Sequence, residues 1–182
     1  MTMVRELRLT PVNGSSKLRS VPIVATKSLE QKTIDLSAFV KGQKTYRSSQ
    51  LASSKIQLKF DGNTKDSLTI RLSNAKGEWL DLGYEPATRR FFVDRSHAGA
   101  ANFNPLFAAR HYAPKILDSK SVDLTVYLDQ SALELFADGG LVSLTEIYFP
   151  SAPFDRIEVL ATKGASSVRS MTMTPLRSIW GK

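Results

Sequence analysis

The chain has 182 residues, a net charge of +8 and an apolar fraction of 42%. It contains no cysteine, which excludes disulfides, thiolate metal sites and cysteine nucleophiles. No stretch approaches the ~18 apolar residues of a membrane-spanning helix, and the length suits one domain with a substantial core. The opening residues MTMVRELRLT lack the apolar core of an export signal, so none is expected in the chain as given. The basic residues are spread over many polar strand faces, and Arg89-Arg90 is their only adjacent pair. A nucleic-acid partner, whose footprint is a clustered patch or stripe, is therefore not expected.

In chain order, Val4–Leu9 is a short strand candidate and Asn13-Gly14 a turn. Residues 10–54 are rich in Ser, Thr, Gln and Lys and read as an opening segment with weak edge strands, Thr33–Leu36 among them. From residue 55 the pattern sharpens. Ile56, Leu58 and Phe60 alternate with Lys55, Gln57 and Lys59; after an Asp61-Gly62-Asn63 turn, Leu68, Ile70 and Leu72 alternate with Ser67, Thr69 and Arg71. A period of two marks a strand with one buried face. Phe91 and Val93 repeat the pattern. Arg95–Pro114 then breaks it: a long stretch with no strand period, holding both histidines.

Val122–Leu128 alternates without a break, Asp129-Gln130-Ser131 turns, and Ala132–Phe136 follows. Asp138-Gly139-Gly140 predicts a tight hairpin turn into Leu141–Phe149, which Pro150 ends. Ile157–Ala161 and Val168–Met173 complete the set. About a dozen short strands at regular spacing predict an all-β fold. The expected architecture is an antiparallel two-sheet β-sandwich, jelly-roll or concanavalin-like, forming a single module over 1–182 with its main body at 55–182.

Three groups of residues carry possible chemistry. Glu134 shares a face with Ala132 and Phe136, with Leu133 and Leu135 opposite. A carboxylate on such a strand should be paired, either with an arginine such as Arg95 (neighbour of Asp94) or with backbone donors; the other reading is a general acid. Glycoside cleavage normally needs two carboxyl groups about 5–9 Å apart. Asp94, Asp123 and Asp138 are available, but nothing in the sequence places one opposite Glu134. The 95–114 stretch is either a loop pinned to the core by Phe103, Leu106 and Phe107 or a ligand surface built from Asn102, Asn104, Arg110, His111 and Tyr112. The spacing of His97 and His111 matches no metal-binding pattern, so no metal or cofactor is expected.

LTVYLDQSALELFADGGLVSLTEIYFP resembles the C-terminal module of glycoside hydrolase family 32, the fructan hydrolases that include levanases, inulinases and invertases. The matching features are Asp129, Ser131, Leu133-Glu134-Leu135-Phe136, Asp138-Gly139 and Tyr148-Phe149-Pro150. GYEPATRRFFVDRS with NFNPLFAARHYAP, the opening VRELRL and the ending PLRSIW agree in the same order.

That family's chemistry belongs to an upstream five-bladed propeller. Its Trp-Met-Asn-Asp-Pro-Asn-Gly-like, Arg-Asp-Pro and Glu-Cys motifs are absent from this chain. The resemblance therefore implies retaining hydrolysis of fructosyl linkages for a parent protein, and no catalytic residue here. It further implies a catalytic propeller as partner, a possible homodimer, and a periplasmic, cell-surface or secreted bacterial parent. A fructan-binding role is the alternative, with Trp79 and Tyr84 as its aromatic platform.

Overall fold

The computed structural model describes residues 3–37, 45–63, 67–161 and 168–178. Fourteen strands lie among them: β1 (Arg5–Val12), β2 (Ser15–Pro22), β3 (Ile34–Asp35), β4 (Tyr46–Arg47), β5 (Ser54–Asp61), β6 (Leu68–Ser73), β7 (Trp79–Glu85), β8 (Arg90–Asp94), β9 (Arg110–Pro114), β10 (Ser121–Asp129), β11 (Ala132–Ala137), β12 (Val142–Ile147), β13 (Arg156–Ala161) and β14 (Val168–Pro175). Two antiparallel six-stranded sheets form the expected sandwich. The first runs β12-β11-β10-β5-β14-β3 and the second β4-β13-β6-β7-β8-β9.

Alternation decides which side chains meet between the sheets. Ile56, Leu58 and Phe60 of β5 and Val122, Leu124, Val126 and Leu128 of β10 face Leu68, Ile70 and Leu72 of β6 and Leu80 and Leu82 of β7, all buried. Each such side chain contributes roughly 1.5–3 kcal/mol relative to an exposed position. Although β5 and β6 are consecutive, they sit in different sheets, so the turn at Asp61-Gly62-Asn63 starts a crossover between layers rather than a hairpin. Tyr148 seals the β10–β11 corner. Its ring is buried and stacks on Phe154 at 5.4 Å, and its hydroxyl donates to the Asp129 carbonyl at 2.7 Å.

Several details depart from the sequence pattern. Residues 110–114, within the supposed irregular stretch, form the edge strand β9 paired to β8, so the loop spans 95–109. The Asp138-Gly139-Gly140 turn is a short 3-10 turn with positive φ at all three residues. β2 and β4 lie in the segment read as opening residues and weak edges. Trp180 lies outside the described residues.

The N-terminal hairpin β1–β2 forms a separate two-stranded sheet, turning at Asn13 (φ 48°) and Gly14 (φ 77°) as a primed turn requires. It is fastened to the outer face of the first sheet by Arg5. That guanidinium donates to Glu134 Oε2 at 2.5 and 3.1 Å and to Thr145 Oγ1 at 2.7 Å, and it lies 4.9 Å from the Phe136 ring centre. The Met3 amide donates to Glu134 Oε1 at 2.5 Å. Glu134 is thus partnered by Arg5 and backbone, not by Arg95, because its side chain points to the outer face whereas Arg95 meets Glu146, which lies on the buried face of β12. Removing Arg5 leaves a buried carboxylate short of its cation. Arg5→Ala should therefore lower unfolding free energy by about 2–4 kcal/mol in denaturant titrations. A change under about 0.5 kcal/mol, the size of an ordinary surface substitution, would show that the clasp contributes nothing.

Candidate functional site

Parity along β7 separates the two proposed sugar-platform aromatics. Leu80, Leu82 and Tyr84 face inward; Trp79, Asp81, Gly83 and Glu85 face outward. Tyr84 is 3% exposed and packs 6.0 Å from Phe60 and 5.2 Å from Phe91, and burial raises its phenol pKa. It is a core residue, unavailable to a sugar. Trp79 is half-buried, and its ring is already engaged. His97 stacks on it at 4.1 Å, and the Arg71 guanidinium lies 4.0 Å from its centre while gripping both Asp81 oxygens at 2.8 Å.

The rest of this outer face is similarly self-satisfied. Cross-strand register lines up Glu158, Arg71, Asp81, Asp94 and Arg110 over β13, β6, β7, β8 and β9. Arg110 bridges Glu85 at 3.0 Å and Asp94 at 3.2 Å and lies over Phe92; Arg90 lies over Tyr112. Burial pushes the Asp94 carboxyl up, but hydrogen bonds from the Ser96 hydroxyl (2.5 Å) and amide (3.0 Å), with Arg110 beside them, outweigh it and hold Asp94 below its ordinary value.

His111, from the other face of β9, joins a group that the sequence pattern did not single out. Its Nδ1 lies 2.7 Å from Glu146 Oε1, and Arg95 lies 3.2 Å from Glu146 Oε2. Glu146 is buried on β12, the edge of the first sheet, and so ties that edge to β9, the edge of the second. Its sequence signal was an inverted pattern. Val142, Leu144 and Glu146 share one face by alternation, while the apolar Ile147 points out. Arg95 also donates to the carbonyls of Phe107 at 2.9 Å and Ile147 at 3.1 Å. Its place is therefore in the loop anchor, not beside Glu134.

The 95–109 loop is pinned by backbone. The Ala100 amide donates to the Phe149 carbonyl at 2.9 Å. Gly99 (φ 99°) permits this approach, since a Cβ there would sit 2.0 Å from the Phe149 oxygen. Asn104 is a turn former, its Oδ1 accepting from the Leu106 amide at 2.8 Å. Phe103 and Leu106 are not core anchors; they are 63% and 84% exposed. Phe103, Phe107 and Phe149 make a surface aromatic cluster with centroid separations of 4.5–5.9 Å, and Leu106 and Ile147, close to Phe107 and Phe149 along the chain, are also exposed.

None of the three aspartates that the sequence offered as a partner, Asp94, Asp123 and Asp138, forms a glycosidase-like carboxyl pair with Glu134. Asp123 lies four residues along β10 from Tyr127, the cross-strand neighbour of Glu134, a separation of roughly 13 Å. Asp138 is buried beside Lys115 at 3.6 Å and accepts the Ile116 and Leu117 amides at 2.6 and 2.9 Å. Asp94 belongs to the other sheet. Among the described residues, no cluster of three His, Cys, Asp or Glu side chains could hold a metal ion. The depressed Asp94 carboxyl sets an acid limit. Its stabilisation is complete above the ordinary Asp value of about 3.9 and is lost as pH falls through its lower folded value. Ser96→Ala should weaken this contribution, so that acid unfolding followed by fluorescence begins at higher pH; an unchanged acid midpoint would contradict it.

The model of the family "Glycosyl hydrolases family 32 C terminal" matches residues 17–175. A levanase of Bacillus subtilis is 30% identical over 113 residues, covering 62% of this chain and 17% of the relative. An extracellular exo-inulinase of Aspergillus niger is 29% identical over 188 residues, covering 99% of this chain and 35% of the relative. Among solved structures, exo-inulinase from Aspergillus awamori superposes with a TM-score of 0.82 at 25% identity, over 97% of this chain and 35% of that one. Sucrose-6-phosphate hydrolase from Lactobacillus gasseri shares the fold with a TM-score of 0.73 at 20% identity, over 95% and 33%. The chain therefore spans about a third or less of the length of these relatives. With the match running from residue 17 to residue 175, the chain belongs to the C-terminal domain family of glycosyl hydrolases family 32.

Proposed function

We propose that this module is the accessory C-terminal domain of a fructan-acting glycoside hydrolase and packs against the catalytic propeller of that longer protein. The observation that carries this is the exposed cluster of Phe103, Leu106, Ile147 and Phe149 on a module one third the length of the exo-inulinases it matches. Exposed apolar patches of this kind mark interaction surfaces, and the cluster is held in place by Arg95, Glu146 and the Gly99–Phe149 bridge. A parent working outside the cell fits the extracellular exo-inulinase relatives. Hydrolysis itself is assigned to the propeller, because the three buried carboxylates of the family motif are committed to internal partners: Glu134 to Arg5, Asp138 to Lys115 and two backbone amides, and Glu146 to Arg95 and His111.

Two outcomes test the proposal. The purified chain should release no fructose from levan, inulin or sucrose; chain-dependent release abolished by Glu134→Gln would overturn the assignment. Phe103→Ser combined with Leu106→Ser should leave the isolated chain's stability within about 1 kcal/mol, as exposed positions do. In the full-length parent the same pair should lower the melting temperature and open the module boundary to protease. An unchanged parent would place the docking surface elsewhere.

A further inference from the structure

The outer faces of the two sheets differ in how their polar groups are used. On the second sheet they are spent on one another. On the first, a groove of about 310 Å³ lies between the sheet and the segment running from Arg19 to Glu30. Its floor holds Gln57 and Thr125, direct neighbours across β5 and β10, with Phe136 beside Thr125 on β11. Among the described residues, the Gln57 amide, the Thr125 hydroxyl and the Lys27 ammonium have no hydrogen bond or ion pair.

The groove is built rather than incidental. Lys55 holds Glu30 at 2.5 Å, pinning the overlying segment to the sheet. Arg19 donates to the Gly139 carbonyl at 2.6 Å and closes the far end. Tyr127, half-buried and edge-on to Phe136 at 6.1 Å, adds an aromatic wall. The charges nearly cancel: among the lining residues Arg19, Lys27 and Lys55 stand against Glu30 and Asp123, three cations to two carboxylates, with Lys55 neutralised directly by Glu30. A site with free amide and hydroxyl groups, an aromatic wall and little net charge suits a neutral polyhydroxylated ligand, and its volume falls at the small end of ligand sites, about 300–1,000 Å³.

We propose that this groove binds a short fructosyl oligosaccharide, with Gln57 and Thr125 as its hydrogen-bonding residues. The preference for a neutral polyol comes from the groove; the sugar's identity rests on the proposed fructan-acting parent. Calorimetric titration of the purified chain with short inulin and levan oligosaccharides, and with maltotriose as a glucan control, tests it. Saturable one-to-one binding to a fructosyl probe is expected, weakened about tenfold by Gln57→Ala and several-fold by Thr125→Val. Both substitutions should leave the melting temperature unchanged. The groove is refuted by an absence of saturable binding, by binding that survives both substitutions, by loss in Trp79→Ala instead, or by equal binding of maltotriose. Absence of binding in a chain whose aromatic cluster still docks would remove the groove and leave the accessory role standing. Binding without docking would do the reverse.

Discussion

Everything on the surface of this module depends on the burial of one face of β5 and β10. Ile56, Leu58, Phe60, Val122, Leu124, Val126 and Leu128 leave water together, and the period of two then commits every intervening residue to the opposite side. A slip of one residue would bury Lys55, Gln57, Lys59, Asp123 and Thr125 without partners, at a cost far beyond any local gain. The outward position of Gln57 and Thr125, and the availability of that face to the N-terminal segment, are consequences of this registration.

The two outer faces then take different routes. The second sheet closes its polar groups into cross-strand ion pairs topped by arginines on Trp79, Phe92 and Tyr112, leaving little for a ligand. The first sheet keeps a carboxylate, Glu134, on its outer face and answers it with the hairpin clasped by Arg5. The hairpin and the segment after it cover part of the face and leave a walled groove. Where the sheet edges meet, Glu146 draws Arg95 and His111 inward, and this anchor carries the loop that displays Phe103 and Leu106.

The family motif around residues 129–150 has a structural explanation. Asp129 and Tyr148 are joined by the tyrosine hydroxyl, and Glu134 receives the hairpin. Asp138 caps the segment entering β10 through two backbone amides and Lys115. These residues hold strands together, and the motif identifies the module through those contacts. Parity could have separated Trp79 from Tyr84 in advance, since five residues apart on one strand means opposite faces. β9 was harder to see: an edge strand ending in proline, with exposed Arg110 and Tyr112, lacks the apolar alternation that marks a central strand.

Alternation and turn chemistry alone determined that this is an all-β sandwich and which residues fill its core, while the particular residues of the 124–150 motif carried the family resemblance. These are properties of short windows, governed by local geometry and by the removal of apolar surface from water. Tertiary structure alone decided that Glu134 meets Arg5, 129 residues away, that Glu146 gathers Arg95 and His111, and that Phe103 and Leu106 stand in solvent. Such partnerships are long-range: a strand pattern states which face a side chain occupies, but only the packing of distant segments states what waits on that face.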